Sequence, residues 1–469
     1  MTSKLDVAGL TVHAGLKRLL GPVSFAIPAG GTLVIMGETG AGKSLLAQAI
    51  LGALPRGLTA EGEFALDGRR IDGLSPQERA RLWGREIALL PQEPWRALDP
   101  LMAAGSQVTE AYRFVAGFEQ EAARQATGRD FDDLGLSDAQ RKRPGQLSGG
   151  MAQRVAFAAA RAGGAALLLA DEPTKGLDRP RAQAIVDLLK AVPTATGALL
   201  AITHEVTVAR DFGGTILILK DGSIVEQGET ADVLADPRSD YGKALLAADP
   251  ANWTRPATAA NDDEVLCAED LTLIRGGHRL FQGFELSLAG GERIVITGPS
   301  GAGKTTLLDT LAGLLLPAQG KVTRGHGVAP TGIQKIYQDP PAAFPPRITL
   351  GRNLQDVADL HGIDWQTIMR LLARLRVDQD LMERRPDQVS GGELQRIAIA
   401  RALAVAPSIL LADEPTSRLD PITQADTMEL LAETTAEART AVVLVTHDKA
   451  MAVNWAGRQI DVGDVPKPL

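Results

Sequence analysis

The chain has 469 residues, of which 45% are apolar and 23% charged, a length and composition typical of a protein with two or three globular domains. Its net charge of −8 argues against a surface for duplex nucleic acid, and its single cysteine, Cys267, excludes an internal disulfide and a cysteine-based metal site. No apolar signal segment opens the sequence and no apolar run approaches the ~20 residues of a spanning helix, so we expect a cytoplasmic chain without direct membrane insertion.

The first elements along the chain predict an antiparallel sheet that precedes a phosphate-binding loop. Apolar and polar side chains alternate over residues 5–12, and residues 23–27 form a second strand. The apolar run 33–36 is followed by a glycine-rich loop and by the helical pattern of residues 45–50. A strand, a glycine loop and a helix in this order are the context of a P-loop. The loop reads Gly37-Glu38-Thr39-Gly40-Ala41-Gly42-Lys43-Ser44.

This loop predicts the binding of a nucleoside triphosphate. Its glycines allow consecutive backbone N–H groups to turn towards phosphate, and the helix that follows adds the positive end of its dipole. We expect Lys43 to reach the terminal phosphates of ATP and the Ser44 hydroxyl to bind Mg²⁺. The alternative is a glycine-rich turn with a chance Lys-Ser pair. A second copy of the loop, which follows another apolar strand in the chain, disfavours this alternative. That copy reads Gly298-Pro299-Ser300-Gly301-Ala302-Gly303-Lys304-Thr305.

The following elements of the first half place polar residues at strand ends and at a helix start. A strand over 62–68 ends in a turn, and the buried strand 87–90 is followed by Gln92. Residues 101–140 predict a helical subdomain, and residues 151–162 a helix that begins after Ser148-Gly149-Gly150. Three further patterns are an apolar strand that ends in Asp171-Glu172, a strand over 198–203 that ends at His204, and a hairpin-like segment over 216–225.

The same order then repeats after a segment without periodicity. Residues 249–263 are rich in proline, alanine and aspartate and predict a flexible linker between a first domain, 1–248, and a second, 264–469. Lys43 and Lys304 are 261 positions apart, whereas Ser148 and Ser390 are 242 apart, so the first copy carries 19 extra residues between these points. The second copy contains Gln338, a helical stretch over 350–385, Ser390-Gly391-Gly392, Asp413-Glu414 and His447.

The repeated polar residues form a set suited to phosphoryl transfer to water. Asp171 and Asp413 at strand ends would hold Mg²⁺, and the next residues, Glu172 and Glu414, are placed to accept a proton from the attacking water. Two merely solvated carboxylates at each strand end are the alternative, which the repeat disfavours. The histidines follow the glutamates at nearly the same distance, 32 and 33 residues, which favours a shared role at the γ-phosphate or the water.

With these motifs the sequence resembles the ATP-binding cassette (ABC) ATPases over essentially its whole length. Residues 147–153 and 389–395 resemble the family's signature, and residues 171–174 and 413–416 its second nucleotide motif. Gly176-Leu177-Asp178 and Arg418-Leu419-Asp420 match the loop by which two cassettes communicate. The resemblance implies an α/β fold with two tandem nucleotide-binding domains, each with a P-loop core, an antiparallel β subdomain and a helical subdomain.

The resemblance also implies how the two nucleotide sites are assembled. Each ATP would lie between the P-loop of one cassette and the Ser-Gly-Gly helix start of the other, so Ser390-Gly391-Gly392 would complete the first site and Ser148-Gly149-Gly150 the second. Gln92 and Gln338 would lie at the Mg²⁺ ions. Both sites would hydrolyse ATP. Many cassettes stack an aromatic ring on adenine; His13 and Arg275 occupy the corresponding segments here and could stack on the base or face solvent.

A narrower resemblance concerns what is transported. Residues 91–100 and 338–340, and the stretch 236–246, resemble segments of the dipeptide, oligopeptide and nickel importer ATPases, although the second copy lacks that last stretch. The group implies two integral-membrane permease subunits and a substrate-binding protein as partners, no nucleic acid, and a peripheral location on the inner face of the cell membrane. The alternatives are a ribosome-bound translation factor, for which we would expect a long, charged linker, and an accessory ATPase of phosphonate breakdown.

Overall fold

The chain folds into two compact units, Met1–Leu246 and Ala247–Leu469, in the computed structural model. The described residues are 3–93, 97–175, 177, 179–256, 260–261, 263–299, 301–417, 419–455 and 457–463. Each unit contains one antiparallel sheet and one mainly parallel sheet with helices. The predicted α/β fold class with two cassettes is therefore confirmed.

The first unit opens with an antiparallel sheet, as the alternating pattern predicts. Its strands lie in the order β2-β1-β4-β5. Residues such as Val7, Leu10 and Val12 are buried because they share the face that packs on the rest of the unit. The strands are β1 (Ser3–Ala14), β2 (Lys17–Pro28), β4 (Leu58–Leu66) and β5 (Arg69–Arg70), with β3 (Thr32–Gly37) intervening in the chain.

The second sheet of this unit carries the P-loop and most of the other site residues that the sequence predicts. Its order is β10-β9-β3-β8-β7-β6, parallel except for β10. Its central strands are continuous apolar runs because both faces are covered. The carboxyl ends of the parallel strands meet at one edge, which collects the P-loop, Asp171 and His204. These strands are β6 (Ile87–Leu90), β7 (Leu167–Asp171), β8 (Ala198–Ile202), β9 (Thr215–Lys220) and β10 (Ser223–Glu229).

The helices of the first unit include the predicted helical subdomain. It consists of α3, a π-helical turn at Ala111–Val115, and α4, packed through Val108 and Phe131. In the turn, the Tyr112 hydroxyl donates to Asp130 Oδ2 over 2.7 Å. The helices are α1 (Lys43–Leu51), α2 (Pro76–Ala80), α3 (Ala104–Glu110), α4 (Gln120–Asp133), α5 (Gly149–Arg161), α6 (Arg179–Lys190), α7 (Val206–Phe212), α8 (Thr230–Ala235) and α9 (Asp240–Ala247).

The second unit repeats this arrangement. Its antiparallel sheet has the order β12-β11-β14, and its parallel sheet the order β15-β16-β17-β13-β18. The strands are β11 (Glu264–Arg275), β12 (His278–Ala289), β13 (Arg293–Thr297), β14 (Gln319–Arg324), β15 (Ile333–Ile336), β16 (Ile409–Asp413), β17 (Ala441–Val445) and β18 (Arg458–Asp461).

The helices of the second unit again include a helical lobe, formed by α11 and α12. Ile368 and Leu372 of this lobe pack into the same buried cluster as Leu394 of α13. Among the described residues of either unit, no helix combines the length and the apolar character needed to cross a bilayer. The helices are α10 (Lys304–Leu311), α11 (Leu350–His361), α12 (Trp365–Arg374), α13 (Gly391–Ala404), α14 (Pro421–Glu437) and α15 (Lys449–Trp455).

The expectation of a flexible linker over 249–263 does not hold for its first part. A 3-10 turn forms at Pro250–Asn252, and the Trp253 ring packs against the core of the second unit. The Asn454 amide donates to Pro250 O over 2.9 Å, and Arg255 donates to Val453 O over 2.6 Å. The local sequence lacks periodicity, but side-chain hydrogen bonds from distant residues fix its backbone.

Candidate functional site

In each P-loop, the glycine before the lysine has the left-handed backbone conformation that this residue type permits. Gly42 and Gly303 precede α1 and α10 with φ values of 93° and 96°, a left-handed conformation that favours glycine. A Cβ atom at Gly303 would lie 2.9 Å from Leu280 Cδ1, so space also restricts this position. The Lys43 ammonium donates to Gly37 O and Glu38 O, both over 2.8 Å, and therefore lies over the loop where phosphate would bind.

The second P-loop repeats this lysine geometry. The Lys304 ammonium donates to Gly298 O over 2.8 Å and to Pro299 O over 3.0 Å. Both lysines are largely buried. Two buried ammonium groups on two glycine loops can each attract a polyphosphate, which would supply further acceptors.

A carboxylate and a hydroxyl meet beside each lysine. Burial raises the pKa of Asp171, and a hydrogen bond with Ser44 opposes this shift. Asp413 has the same pair of effects, with Thr305 as its hydroxyl partner. The Oδ1 atom of Asp171 is buried and has no hydrogen-bond partner. A buried carboxylate with an unsatisfied oxygen next to a hydroxyl fits a Mg²⁺ ion, which prefers oxygen ligands.

The glutamates that follow these aspartates share an unusual backbone conformation. Glu172 and Glu414 both have φ near 46°, which is uncommon for residues other than glycine. Their N–H groups donate to Ile202 O over 2.9 Å and to Val445 O over 3.0 Å, across the neighbouring strand. Strained backbone of this kind persists where surrounding contacts determine it, and it is often found at functional sites. In each unit it directs the carboxylate towards a glutamine and a histidine.

The Glu172 carboxylate is held by three donors. Gln92 Nε2 donates to Oε2 over 3.0 Å, Lys175 Nζ lies 3.0 Å from the same oxygen, and His204 Nδ1 lies 3.2 Å from Oε1. Burial alone would raise the pKa of Glu172, but the hydrogen bond with His204 and attraction to His204 and Lys175 outweigh burial and hold that pKa well below its ordinary value. The carboxylate is thus kept ionised, as a proton acceptor must be.

The Glu414 carboxylate contacts the counterparts of two of these residues, the glutamine and the histidine. Gln338 Nε2 donates to Oε2 over 3.0 Å, and His447 Nδ1 lies 3.3 Å from Oε1. Burial would again raise the pKa of Glu414, but its hydrogen bond and attraction to His447, with Lys304 and Gln338, lower it overall. The structure therefore gathers the sequence-predicted glutamine, glutamate and histidine of each copy into one cluster.

The two Ser-Gly-Gly segments begin helices, as predicted. The Ser148 hydroxyl accepts from Met151 N over 3.3 Å and caps α5, and Ser390 accepts from Glu393 N over 3.2 Å and caps α13. The cap serines and the first glycines, Gly149 and Gly391, are exposed. Exposed helix N-termini of this kind are generally able to bind an anion through their backbone donors and dipole.

A cavity of about 340 Å³ lies beside the P-loop of the second unit. Arg275 enters it from β11, where its Nη1 atom donates to Thr306 Oγ1 over 3.1 Å. The described residues that line it do not include Ser390, Gly391 or Gly392 of the same unit. The lining residues are Arg275, Leu280, Gly301, Gly303, Lys304, Thr305, Thr306, Gln338, Asp413 and Glu414.

The remaining predicted residues either lie in the antiparallel sheet or fall outside the described residues. His13 is half-buried on β1, where it pairs with Arg18 and Thr59. Sequence reasoning missed Lys175, although the difference between Thr174-Lys175 and Thr416-Ser417 in the repeated motif could have indicated it. The predicted residues outside the described part of the chain are Ser300, Gly176, Asp178 and Arg418, together with 94–96 of the stretch 91–100 and with 257–259 and 262 of the predicted linker.

This chain contains twice the arrangement that is typical of P-loop ATPases. In that arrangement a mainly parallel sheet carries at its carboxyl edge a P-loop lysine, a strand-end aspartate and a hydrogen-bonded glutamate. The particular family follows from comparison with known proteins. A family model described as "ABC transporter" matches residues 20–175 and 281–417, more than half of the chain. The protein belongs to the ABC transporter family and is an ABC-type ATPase.

Relatives resemble the chain over nearly its full length. A peptidoglycan transport ATP-binding protein of Agrobacterium fabrum is 31% identical over 460 residues, covering 91% of this chain and 84% of the relative. A glutathione import ATP-binding protein of Salmonella typhimurium is 30% identical, covering 98% and 86%. An oligopeptide transport ATP-binding protein of Mycobacterium bovis is 29% identical, covering 94% and 91%.

Solved structures agree with the fold. The archaeal ribosome recycling factor, solved with a ribosomal stalk protein, superposes with a TM-score of 0.66 at 21% identity, covering 96% of this chain and 87% of the other. A structure titled RNase-L Inhibitor superposes with a TM-score of 0.64 at 20% identity, covering 92% and 83%. At these identities the likeness is one of fold.

Proposed function

We propose that this chain is the ATP-hydrolysing subunit of a membrane ABC importer whose transported substrate is a peptide, nickel or a related small solute. The observation that carries the catalytic half of this proposal is the pair of clusters in which a glutamine and a histidine hold a glutamate beside a P-loop lysine. The cargo half is supported by relatives named for the transport of oligopeptides, glutathione and peptidoglycan.

In this proposal the residues of each site have distinct roles. Lys43 and Lys304 bind the terminal phosphates, and the P-loop amides bind the rest of the polyphosphate. Glu172 and Glu414 accept a proton from the attacking water, which His204 and His447 help to orient. The hydrogen-bond partners of both carboxylates lower their pKa values, which keeps the carboxylates ionised as this role requires.

Mg²⁺ is the second cofactor that we propose. Ser44, Gln92 and Asp171 would hold it in the first site, and Thr305, Gln338 and Asp413 in the second. The ion would neutralise charge on the phosphates and so weaken the repulsion that an incoming nucleophile meets. The unsatisfied, buried Asp171 Oδ1 atom supports this assignment.

We further propose that each ATP lies between the two cassettes, here taken as 1–248 and 264–469 with residues 249–263 joining them. Ser390-Gly391-Gly392 would complete the first site, and Ser148-Gly149-Gly150 the second. Two features support this. The exposed helix starts offer donors to an anion, and the described lining of the second unit's own cavity lacks its own Ser-Gly-Gly segment. Arg275, which does line that cavity, would contact adenine there.

The partners in this proposal are two integral-membrane permease subunits and a substrate-binding protein, with the chain peripheral on the inner face of the cell membrane. The helical lobes, formed by α3 and α4 and by α11 and α12, would contact the permeases. Each lobe follows a glutamine that holds a catalytic glutamate, so closure on ATP could move the lobe.

Copurification and reconstitution test this proposal. The tagged chain is expected to recover two permease subunits per copy from membranes, and ATP hydrolysis in reconstituted vesicles is expected to rise when the cognate binding protein and a peptide are added. Recovery with ribosomes and no membrane protein would overturn the transport assignment in favour of a soluble tandem ATPase. The likeness to the ribosome recycling factor concerns the fold and does not favour that alternative.

A further inference from the structure

The first turn after each proposed catalytic glutamate has the same backbone in the two units, but its fourth residue is Lys175 in the first unit and Ser417 in the second. Lys175 N donates to Glu172 O over 3.2 Å, and Ser417 N donates to Glu414 O over the same 3.2 Å. The backbone therefore places Lys175 and Ser417 at equivalent positions, three residues after the glutamate. A lysine side chain can reach back to that carboxylate, and a serine side chain is much shorter.

Lys175 uses this reach. Its ammonium lies 3.0 Å from Glu172 Oε2, and the two side chains are 33% and 11% exposed. The same oxygen accepts from Gln92 Nε2, and Oε1 faces His204. An attacking water must donate its hydrogen to one of these two oxygens, so it competes with a charge-assisted hydrogen bond that Lys175 already makes. In the second unit, Ser417 replaces this competitor.

We propose that Lys175 is a positioning residue that restrains Glu172 and makes the ATP site of the first P-loop the slower of two unequal hydrolytic sites. The inference rests on the proposed roles of Glu172 and Glu414. Before Glu172 can bind the water productively, its contact with Lys175 must lengthen or shift, and this rearrangement adds to the barrier at one site only. The site of the second P-loop, where Glu414 contacts Gln338 and His447, carries no such contribution from Ser417.

Exchanging the two side chains tests the inference. Lys175→Ser in the full chain is expected to raise kcat about 3- to 10-fold at the first site, with KM unchanged, because one charge-assisted hydrogen bond to the proton acceptor is removed. First-site turnover is isolated in a Glu414→Gln background. Ser417→Lys, isolated in a Glu172→Gln background, is expected to lower kcat at the second site by a similar factor. Lys175→Arg should keep the slow rate.

Two controls separate positioning from a structural effect. Lys190→Ser, an exposed lysine of the first unit on α6, should leave kcat and KM unchanged. Lys175→Ser should have no further effect on kcat when Glu172 is already Gln, because Lys175 acts through that carboxylate. Melting curves establish that each variant is folded.

The outcomes are distinct. Unchanged or lower kcat in folded Lys175→Ser, measured both in the Glu414→Gln background and in the otherwise unaltered chain, would overturn the inference. Hydrolysis that survives both Glu172→Gln and Glu414→Gln in one chain would instead overturn the proposed roles of the glutamates. A rise in kcat that appears with Lys175→Ser and disappears with Glu172→Gln supports both.

Discussion

The side-chain amide of Gln92 donates to the carboxylate of Glu172 over 3.0 Å, although 80 positions separate the two residues in the chain. They meet because β6 and β7 are parallel neighbours whose carboxyl ends lie at one edge of the sheet. The second unit repeats the contact between Gln338 and Glu414 at the same distance. The segment that leads into each helical lobe is therefore hydrogen-bonded to the group that we propose as proton acceptor.

Replacing either glutamate with glutamine should separate binding from hydrolysis. Glu172→Gln and Glu414→Gln are each expected to slow turnover about 10²- to 10⁴-fold at their own site, because the amide cannot accept the proton. ATP affinity should stay the same, since the side chain keeps its shape. Steady-state hydrolysis and equilibrium binding of a fluorescent ATP analogue measure the two effects. Full activity in one of these variants would mean that its site is hydrolytically silent.

Removing the P-loop lysines should weaken nucleotide binding itself. Lys43→Ala and Lys304→Ala are each expected to lower ATP affinity about 10- to 100-fold at their own site, since charge-assisted hydrogen bonds to phosphate are lost. Lys17→Ala, an exposed residue of β2, is the matched control and should bind ATP normally. Normal affinity in folded Lys43→Ala would contradict the proposed phosphate contact.

Asp171→Asn should stabilise the chain without metal and weaken its response to Mg²⁺. Burial raises the pKa of Asp171 in the folded chain. The fold is therefore most stable at a pH below the pKa that Asp171 has in the unfolded chain, and it loses stability as the pH rises through the pKa of Asp171 in the folded chain. At neutral pH the buried charge therefore destabilises the fold, and asparagine removes it while keeping an oxygen for Ser44. We expect a melting temperature a few degrees higher in EDTA.

The same variant should need about 10-fold more Mg²⁺ for half-maximal ATP hydrolysis, because one anionic ligand is lost. Titration of activity with Mg²⁺ measures this. An unchanged Mg²⁺ requirement would remove Asp171 from the proposed metal site. Asp211→Asn, on α7, serves as the control carboxylate.

Arg275→Ala should lower ATP affinity at the second site, because its guanidinium lines the cavity beside the P-loop. If it contacts adenine, the loss should differ between ATP and GTP. Arg279→Ala, an exposed arginine a few residues along on β12, is the matched control. His13→Ala provides the same comparison at the first site. If the affinities for ATP and for GTP are both unchanged in the two variants, neither His13 nor Arg275 contacts the base.

Tyr112 predicts an alkaline limit to the stability of the first unit's helical lobe. Two effects raise the pKa of Tyr112 to about 12 from its ordinary 10.0: burial is the larger, and the hydrogen bond to Asp130 is the second. The stabilisation is complete below pH 10 and is lost as the pH rises towards about 12. The phenolate absorbance of three tyrosines should therefore include one late step that Tyr112→Phe removes. A titration in which all tyrosines ionise together would contradict this.

The sequence predicted the parts of the site that depend on local order. The glycine loops, the strand-end carboxylates at Asp171 and Asp413, and the capped helix starts at Ser148 and Ser390 follow from spacing along the chain. The contact of Lys175 with Glu172 was not predicted, because it depends on the direction of a flexible side chain after a strained residue. The positive φ of Glu172 was also missed, since contacts across the sheet determine it.

The packed segment 249–256 has a consequence for where the chain can be divided. Its Pro250 and Pro256 carbonyls accept hydrogen bonds from Asn454 and from Arg293, which lies under the second core's Trp455 ring. A polypeptide that started at Glu264 would leave both donors without these acceptors and would uncover the surface that Trp253 protects. A gene split that makes each cassette as a separate product should therefore fall directly after Ala247, the last residue of α9, so that this segment remains with the second half.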